Sequence, residues 1–396
     1  MNKDKIDSRF TIENVRIANL KTVYDCIRSR KATTRSELSK LTGLSLPSIT
    51  RIVNALTEIG YVASNGLKSD GLGRKTVTMT AVSSVGYTIG VQIDKKFIRI
   101  GIIDFANNII ARDKVPYDCY LNSAKAVIER ISVIMTEMLE VNAISREKIR
   151  GAGISMPGIV NRNEGILVFS PQLGWSSLPI QNIAEEILHL PVVIDNDLKF
   201  YAYGECNKGI EGNPNSITFL YIGSGVGAAH VVDGRIFKGA FNSAGEIGHV
   251  KIDTHGILCD CGRIGCLQTH MTESSIVNKA KGILSDITSS SEVFEYMERG
   301  NQWATNIIMD LINYSAIALG ILIAVYDPQV IVLGGEIIEQ NSIVFQSIIN
   351  RYADMGYTPI NRNRAIIKSS MQGNSIIFGA AISSADIFLQ NHDFSQ

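Results

Sequence analysis

The sequence predicts a small winged helix-turn-helix head followed by a larger α/β body of two lobes. Three observations carry that reading. Charge is split along the chain: the first eighty residues hold 14 Lys and Arg against 7 Asp and Glu, a net +7, and the rest carries the opposite −7. Apolar spacing is helical up to about residue 60 and changes beyond residue 85 to strand-like alternation and short buried runs. In that second stretch a scheme of meandering strands followed by helix occurs twice, as two lobes with a cleft between them require.

With 45 % hydrophobic and 19 % charged residues over 396 positions, the chain is neither disordered nor fibrous in type and is long enough for two or three domains. The start, MNKDKIDSRF, lacks the apolar core of a signal peptide. The longest apolar run, 315-SAIALGILIAV-325, falls short of the roughly 18 to 20 residues a membrane span needs, so a cytoplasmic protein with no membrane partner is expected. The six cysteines are Cys26, Cys119, Cys206, Cys259, Cys261 and Cys266. Half of them crowd into eight positions, a metal-ligating spacing rather than a disulfide framework.

In the head, 15-VRIANLKTVYDCIRSR-30 places Ile17, Leu20, Val23, Tyr24 and Ile27 at helical spacing. A short helix follows, capped by Thr34 or Ser36 and ended by Gly43. In 45-SLPSITRIVNALTEIG-60, Ser45 is the N-cap, Pro47 sits in the first turn, and Ile49, Ile52, Val53, Leu56 and Ile59 form the buried stripe. That stripe leaves Ser45, Ser48, Thr50, Arg51 and Asn54 outside, short polar donors and one arginine suited to base edges and phosphates in a major groove. Residues 61–81 alternate around a Gly-rich basic tip as a β-hairpin wing does, with Arg74 and Lys75 placed to meet phosphates or a minor groove. A basic reader of this kind on an acidic body points to DNA as the partner of the head alone.

The body reads as strands 87–93, 97–104 and 107–115, helix 123–141, strand 150–156, helix 180–188 and strand 191–197. It then repeats: strands 216–223 and 225–234, helices around 272–284 and 302–326, strand 329–335, helix 339–354, strand 364–370 and helix 378–389. In 246-EIGHVKIDTHGILCDCGRIGCLQT-269, Cys259, Cys261 and Cys266 fold around glycines, and three thiolates with one imidazole suit tetrahedral Zn²⁺. By sequence distance the fourth ligand is His249 or His255. Four protein ligands leave no open position, so the expected role of the ion, one per chain, is structural.

The motifs 153-GISMPGIV-160, 170-SPQLGWSSLPI-180, 194-IDND-197, 222-IGSGVGAA-229, 245-GEIGH-249, 259-CDCGRIGC-266 and 331-IVLGGE-336 resemble, in order and spacing, those of the ROK family, over essentially the whole chain. That family contains repressors and sugar kinases with a two-lobed, actin-like (RNase H-like) fold, and with a helix-turn-helix in front the chain looks like its xylose- and N-acetylglucosamine-type repressors. The resemblance implies a head over 1–82 and a sugar-binding and oligomerising body over 83–396. Lobe one would take about 83–195 plus the C-terminal helix, and lobe two about 196–376. It implies His249 as the fourth metal ligand, and Asn196, Asp197, Glu246, His249 and Gln268 as sugar ligands. In the family's kinases the residue matching Asp197 is the general base, and the position of Gln268 is normally glutamate. Gln268 also donates where a carboxylate only accepts, so the hydroxyl pattern it recognises differs. Gln172 likewise stands where the family usually has asparagine.

The kinases' first phosphate loop, Asp-x-Gly-Gly-Thr, is replaced here by Gln92-Ile93-Asp94-Lys95-Lys96, whose bulky side chains are expected to block a nucleotide. Glu336 replaces a glycine of the last phosphate turn. The expectation is therefore a sugar-responsive regulator without enzymatic activity, a repressor of carbohydrate-utilisation genes released by a monosaccharide or sugar phosphate. It would bind operator DNA as a homodimer or homotetramer. A ROK-type sugar kinase with a DNA-binding extension is the alternative, and recruitment by a phosphotransferase-system protein is a third reading.

Overall fold

The computed structural model describes residues 12–29, 33–68, 76–208, 210, 214–355, 364–371 and 373–392. The head comprises helices α1 (Ile12–Arg28), α2 (Arg35–Thr42) and α3 (Leu46–Glu58) and the antiparallel pair β1 (Val62–Lys68) and β2 (Thr76–Ala81). Its helix ends follow local chemistry. Thr34 and Glu37 close a reciprocal capping box on α2, Gly43 ends that helix in the left-handed region at φ 72°, and Ser45 caps α3. Leu20, Val23, Tyr24 and Ile27 of α1 are buried against Leu38 and against Ile49, Val53 and Leu56 of α3. Arg74 and Lys75, expected at the wing tip, lie outside the described residues.

The body opens with β3 (Tyr87–Ile93), β4 (Phe97–Asp104) and β5 (Ile109–Pro116), then α4 (Ala124–Val141) and β6 (Ile149–Met156). A separate three-stranded sheet follows, β7 (Ile159–Asn161), β8 (Ile166–Ser170) and β9 (Trp175–Leu178), then α5 (Ile180–Leu188), β10 (Val192–Asn196) and α6 (Asp197–Lys208). The second half holds β11 (Ser216–Ile222), β12 (Val226–Val232), β13 (Arg235–Ile236), α7 (Glu273–Lys281), α8 (Ser290–Glu298) and α9 (Gln302–Tyr326). It ends with β14 (Val330–Gly334), α10 (Glu336–Gln340), α11 (Ser342–Met355), β15 (Ala365–Lys368) and α12 (Ser375–Asn391).

The doubled pattern is a duplication of topology. One sheet runs β10-β6-β3-β4-β5 and the other β15-β14-β11-β12-β13, each with an antiparallel meander on one side and parallel strands on the other. Helix α9 is long and apolar enough to cross a membrane by length and composition, but Leu311, Ala318, Leu319 and Leu322 on it are buried in the core of the second lobe. Helix α6 is absent from the sequence reading because it has no amphipathic stripe. Phe200, Tyr201, Ala202, Gly204 and Glu205 are all buried, so it is covered on all sides.

Helix α12 joins the parts. A Cβ on Gly90 of β3 would lie 1.8 Å from the Ile377 carbonyl oxygen, one on Gly153 of β6 2.0 Å from that of Ala380, and one on Gly204 of α6 2.1 Å from that of Ser375. The same helix meets the head. Arg28 of α1, 4 % exposed, pairs with Asp386 of α12 and, at 3.2 Å, with Asp25, while Tyr203 of α6 donates its hydroxyl to the other Asp386 oxygen. Ala385 and Leu389 of α12 and Phe105 after β4 complete the head's apolar core.

Gly90→Ala or Gly153→Ala therefore forces backbone apart and is expected to cost about 1–3 kcal/mol or more. Gly320→Ala in α9, whose Cβ would meet the Tyr352 ring at an ordinary 3.6 Å, removes a mid-helix glycine and is expected to gain about 0.5–1 kcal/mol. Urea unfolding of the three variants checks the signs; a Gly153→Ala protein as stable as the parent contradicts the close approach.

Candidate functional site

Strand β10 ends and α6 begins at Asn196-Asp197, so the mouth of the cleft is formed where a buried strand turns directly into a helix. Asn196 donates its amide to the Gly158 carbonyl at 2.9 Å and accepts from the Leu198 amide at 2.9 Å, which ties the turn to the Pro157-Gly158 loop after β6. Asp197, Glu246, His249, Gln268, Asn196 and Gln172 all line one cavity of about 50 Å³ between the two sheets. All five residues expected to hold a sugar are thus together. Tyr221 of β11 and Gly158 line it too; Tyr221 was read only as strand and Gly158 only as turn, since nothing in their local sequence marks a pocket.

Burial, and next the neighbouring Glu246 carboxylate, push the Asp197 carboxyl up to about 7. Burial also raises Glu246, partly offset by Lys199. The wall therefore offers at neutral pH a carboxyl poised between donor and acceptor, beside an amide that does both.

Behind this wall sits the cysteine cluster. The candidate ligand atoms of His249, Cys259, Cys261 and Cys266 all lie within 4.8 Å of one another. Cys259 Sγ is 3.7 Å from His249 Nδ1 and Cys261 Sγ 3.6 Å from Cys266 Sγ. A tetrahedron with Zn–S near 2.3 Å and Zn–N near 2.0–2.1 Å has S···S edges of about 3.8 Å and S···N edges of about 3.6 Å, close to these two separations, so the four residues could hold such an ion. His255 is outside the cluster and is exposed, bonded to the Thr254 hydroxyl at 3.0 Å. Burial, and then Arg263, lower His249, which favours the neutral imidazole that a metal needs.

His249 and Gln268 belong to both places. With Nδ1 turned to the thiols, His249 directs Nε2 toward Glu246, 3.9 Å away. Buried Gln268 donates its amide to Cys259 Sγ at 3.2 Å. The glutamine is thereby oriented by the cluster, and a carboxylate in that pose would face a thiolate instead of bonding it.

In place of a phosphate loop, the cleft holds internal charge. Glu336 at the start of α10 accepts from Tyr221 at 2.6 Å and pairs with Arg99 of β4 at 3.5 Å; Arg99 also donates to Gln92 at 2.9 Å. Asp94 is bonded to Ser224 of the Gly223-Ser224-Gly225 turn, and burial raises its carboxyl. Lys95 and Lys96, which follow Asp94, are both exposed, Lys95 over the Tyr120 ring, as an ammonium group that keeps its hydration is.

On the head, Ser45, Thr50 and Arg51 are exposed and Ser48 half-buried at the start of α3. Ser45 and Ser48 bond one another at 2.9 Å as part of the cap, and Asn54 accepts from Arg35 at 3.4 Å. The face expected to read DNA is thus open, with Arg51 its exposed cation.

Asp197 also sets a pH dependence. Its unfolded value is near 3.8, so between about pH 4 and 7 the unfolded chain has released a proton that the folded chain retains. Stability then falls as pH rises through that window and levels off above it, by a few kcal/mol at most. Asp197→Asn is expected to make the fall shallower, the raised Glu246 and Asp94 carboxyls keeping a part of it. Melting temperatures of both proteins across pH 4.5 to 8 check it; parallel curves would show that Asp197 is ionised throughout.

A family model described as the ROK family matches residues 88–386, and one described as the IclR helix-turn-helix domain matches 23–66. A protein named putative xylose repressor from Caldicellulosiruptor sp. is 27 % identical over 80 % of this chain and 82 % of its own length. A glucokinase from Streptomyces coelicolor is 26 % identical over 68 % of this chain and 87 % of its own. Among solved structures, a ROK family transcriptional regulator described as a homolog of the E. coli MLC protein superposes with TM-score 0.76 at 22 % identity, covering 95 % of this chain and 97 % of its own. Fold, duplicated sheets and family motifs agree with the match across the body: the chain belongs to the ROK family.

Proposed function

We propose that the protein is a sugar-responsive DNA-binding repressor of carbohydrate-utilisation genes. One observation carries the reading. An open recognition helix and a polar cavity in the cleft are joined in one chain by α6, whose first turn lines the cavity, and by α12, which bonds α6 through Asp386 and completes the head's core. The similarity to proteins named xylose repressors, which extends over 95 % of the chain for the Bacillus subtilis relative, supports it. In this reading the chain acts in the cytoplasm as a homodimer or homotetramer on a partly palindromic operator. Sugar closing the cleft shifts the two reading heads off their half-sites. A sugar is preferred to a phosphotransferase-system protein as effector because the candidate polar residues face an internal cavity and not an outer surface.

The kinase alternative is disfavoured by the carboxylates at the phosphate turn. A nucleotide's phosphates would meet Glu336 and Asp94, and the Arg99 guanidinium that could balance them is already paired with Glu336. We assign the cysteine cluster to structural Zn²⁺, held by His249, Cys259, Cys261 and Cys266, which would brace the pocket wall.

Operator fragments selected from random DNA by the purified protein provide the test. Tight binding that is weakened by a sugar, and a drop of tenfold or more with a shallower salt slope in Arg51→Ala, are expected. Operator binding indifferent to every sugar and sugar phosphate, or ATP-dependent sugar phosphorylation, would refute the assignment. For the metal, elemental analysis should give one zinc per chain, lost together with several degrees of melting temperature in Cys261→Ser; a metal-free protein of unchanged stability would remove the structural role.

A further inference from the structure

The sugar cavity has a second chamber. A space of about 600 Å³ lies outside it and shares four of its lining residues, Gly158, Pro171, Glu246 and His249. The inner cavity of about 50 Å³ has room for a few water molecules, whereas small-molecule sites occupy about 300–1,000 Å³, so a ligand that reaches the inner polar residues must extend into the outer chamber, which supplies nearly all of the room. The outer chamber straddles the lobes. One wall is Ile159 and Phe169 on the β7-β8 pair that follows the first sheet's β6, and the other is Ser243, Val250 and Lys251 from the segment between β13 and α7.

We propose that the effector is a glycoside of two or more sugar units, with one ring among Asp197, Glu246 and Gln268 and the next stacked on Phe169 in the outer chamber. The inference rests on the sugar-binding reading above and names the ligand class. A pyranose ring presents a flat C–H face and a rim of hydroxyls, and it pairs with an exposed aromatic face bordered by polar groups. Phe169 is 46 % exposed and Val250 41 %, apolar surface that a ring would cover, while Ser243 and Lys251 stand by for its hydroxyls. A phosphate is a poorer occupant. Arg263 already donates to the Cys261 sulfur, and the Glu246 carboxylate stands at the neck between the chambers. A second unit touching both walls would also favour the closed arrangement of the lobes, because its contacts exist only when both walls are near.

Calorimetric titration of the full chain with matched pairs decides it: D-xylose and xylobiose, D-glucose and cellobiose, N-acetylglucosamine and N,N′-diacetylchitobiose, with glucose 6-phosphate alongside. In at least one pair the disaccharide should bind tenfold or more tighter than its monosaccharide. Phe169→Ala should erase that advantage while leaving monosaccharide affinity unchanged, and Phe169→Tyr should keep it. Equal affinities within every pair, equal losses for both sugars in Phe169→Ala, or tightest binding by glucose 6-phosphate each overturn the second subsite while leaving a sugar-binding protein. No binding by any of the seven overturns the sugar reading and this one with it.

Discussion

Backbone-to-backbone approach along α12 is the constraint on which the molecule's arrangement rests. Three glycines on three different elements, Gly90, Gly153 and Gly204, and Gly379 on the helix itself, remove the side chains that would otherwise stand between α12 and its neighbours. Their absence lets the helix lie directly on β3 and β6 and against α6, where dispersion contacts are dense and any added methyl must displace main chain. Fixed there, the far end of α12 offers Asp386 to the head. Arg28 is the buried charge that demands partners, and it finds Asp386, which also accepts from Tyr203, and Asp25. The head's position on the body is set by this charge and by the apolar contact of Ala385, Leu389 and Phe105.

A comparable economy governs the cleft. Sugar hydroxyls need rigid, correctly oriented donors and acceptors, yet residues 246–268 contain only short 3₁₀ turns and bridges to hold them. The cysteine cluster supplies the rigidity. It fixes His249 through Nδ1 and Gln268 through its amide, and each presents its remaining polar edge to the cavity. Glutamine at 268 is thus oriented by the sulfur behind it while it lines the cavity in front.

Much of this was legible in the sequence because it depends on local chemistry. Thr34, Glu37, Gly43 and Ser45 announce the head's helix ends through hydrogen bonds spanning three or four residues, and the two meanders announce themselves by periodicity. The cysteine spacing and the family motifs pick out residues that share one cavity and one cluster in the fold. What was hidden lacks a local signature. Helix α6 is buried on all sides, α8 is a single short helix, and β7, β8 and β9 are three to five residues each, too short for alternation to register. Arg28 and Asp386 are 358 positions apart, and no pattern within either segment predicts the pairing.

The route between cleft and head follows from α6 being one continuous helix. Asp197 lies at its first turn against the cleft cavity and Tyr203 six residues on, about 9 Å along the axis at 1.5 Å per residue. Tyr203 bonds Asp386, and Asp386 holds Arg28. Gly204, one position further, seats the helix on the Ser375 carbonyl, so α6 has little freedom to bend away from α12 at that point. A ligand that draws Asp197 toward the opposite lobe must then slide or tilt α6 as a unit. Such a motion is opposed by the close α6-α12 seam and is felt first at Tyr203. Arg28 is 4 % exposed and Asp386 17 %, so a shift that parts them leaves a buried guanidinium without its counter-charge.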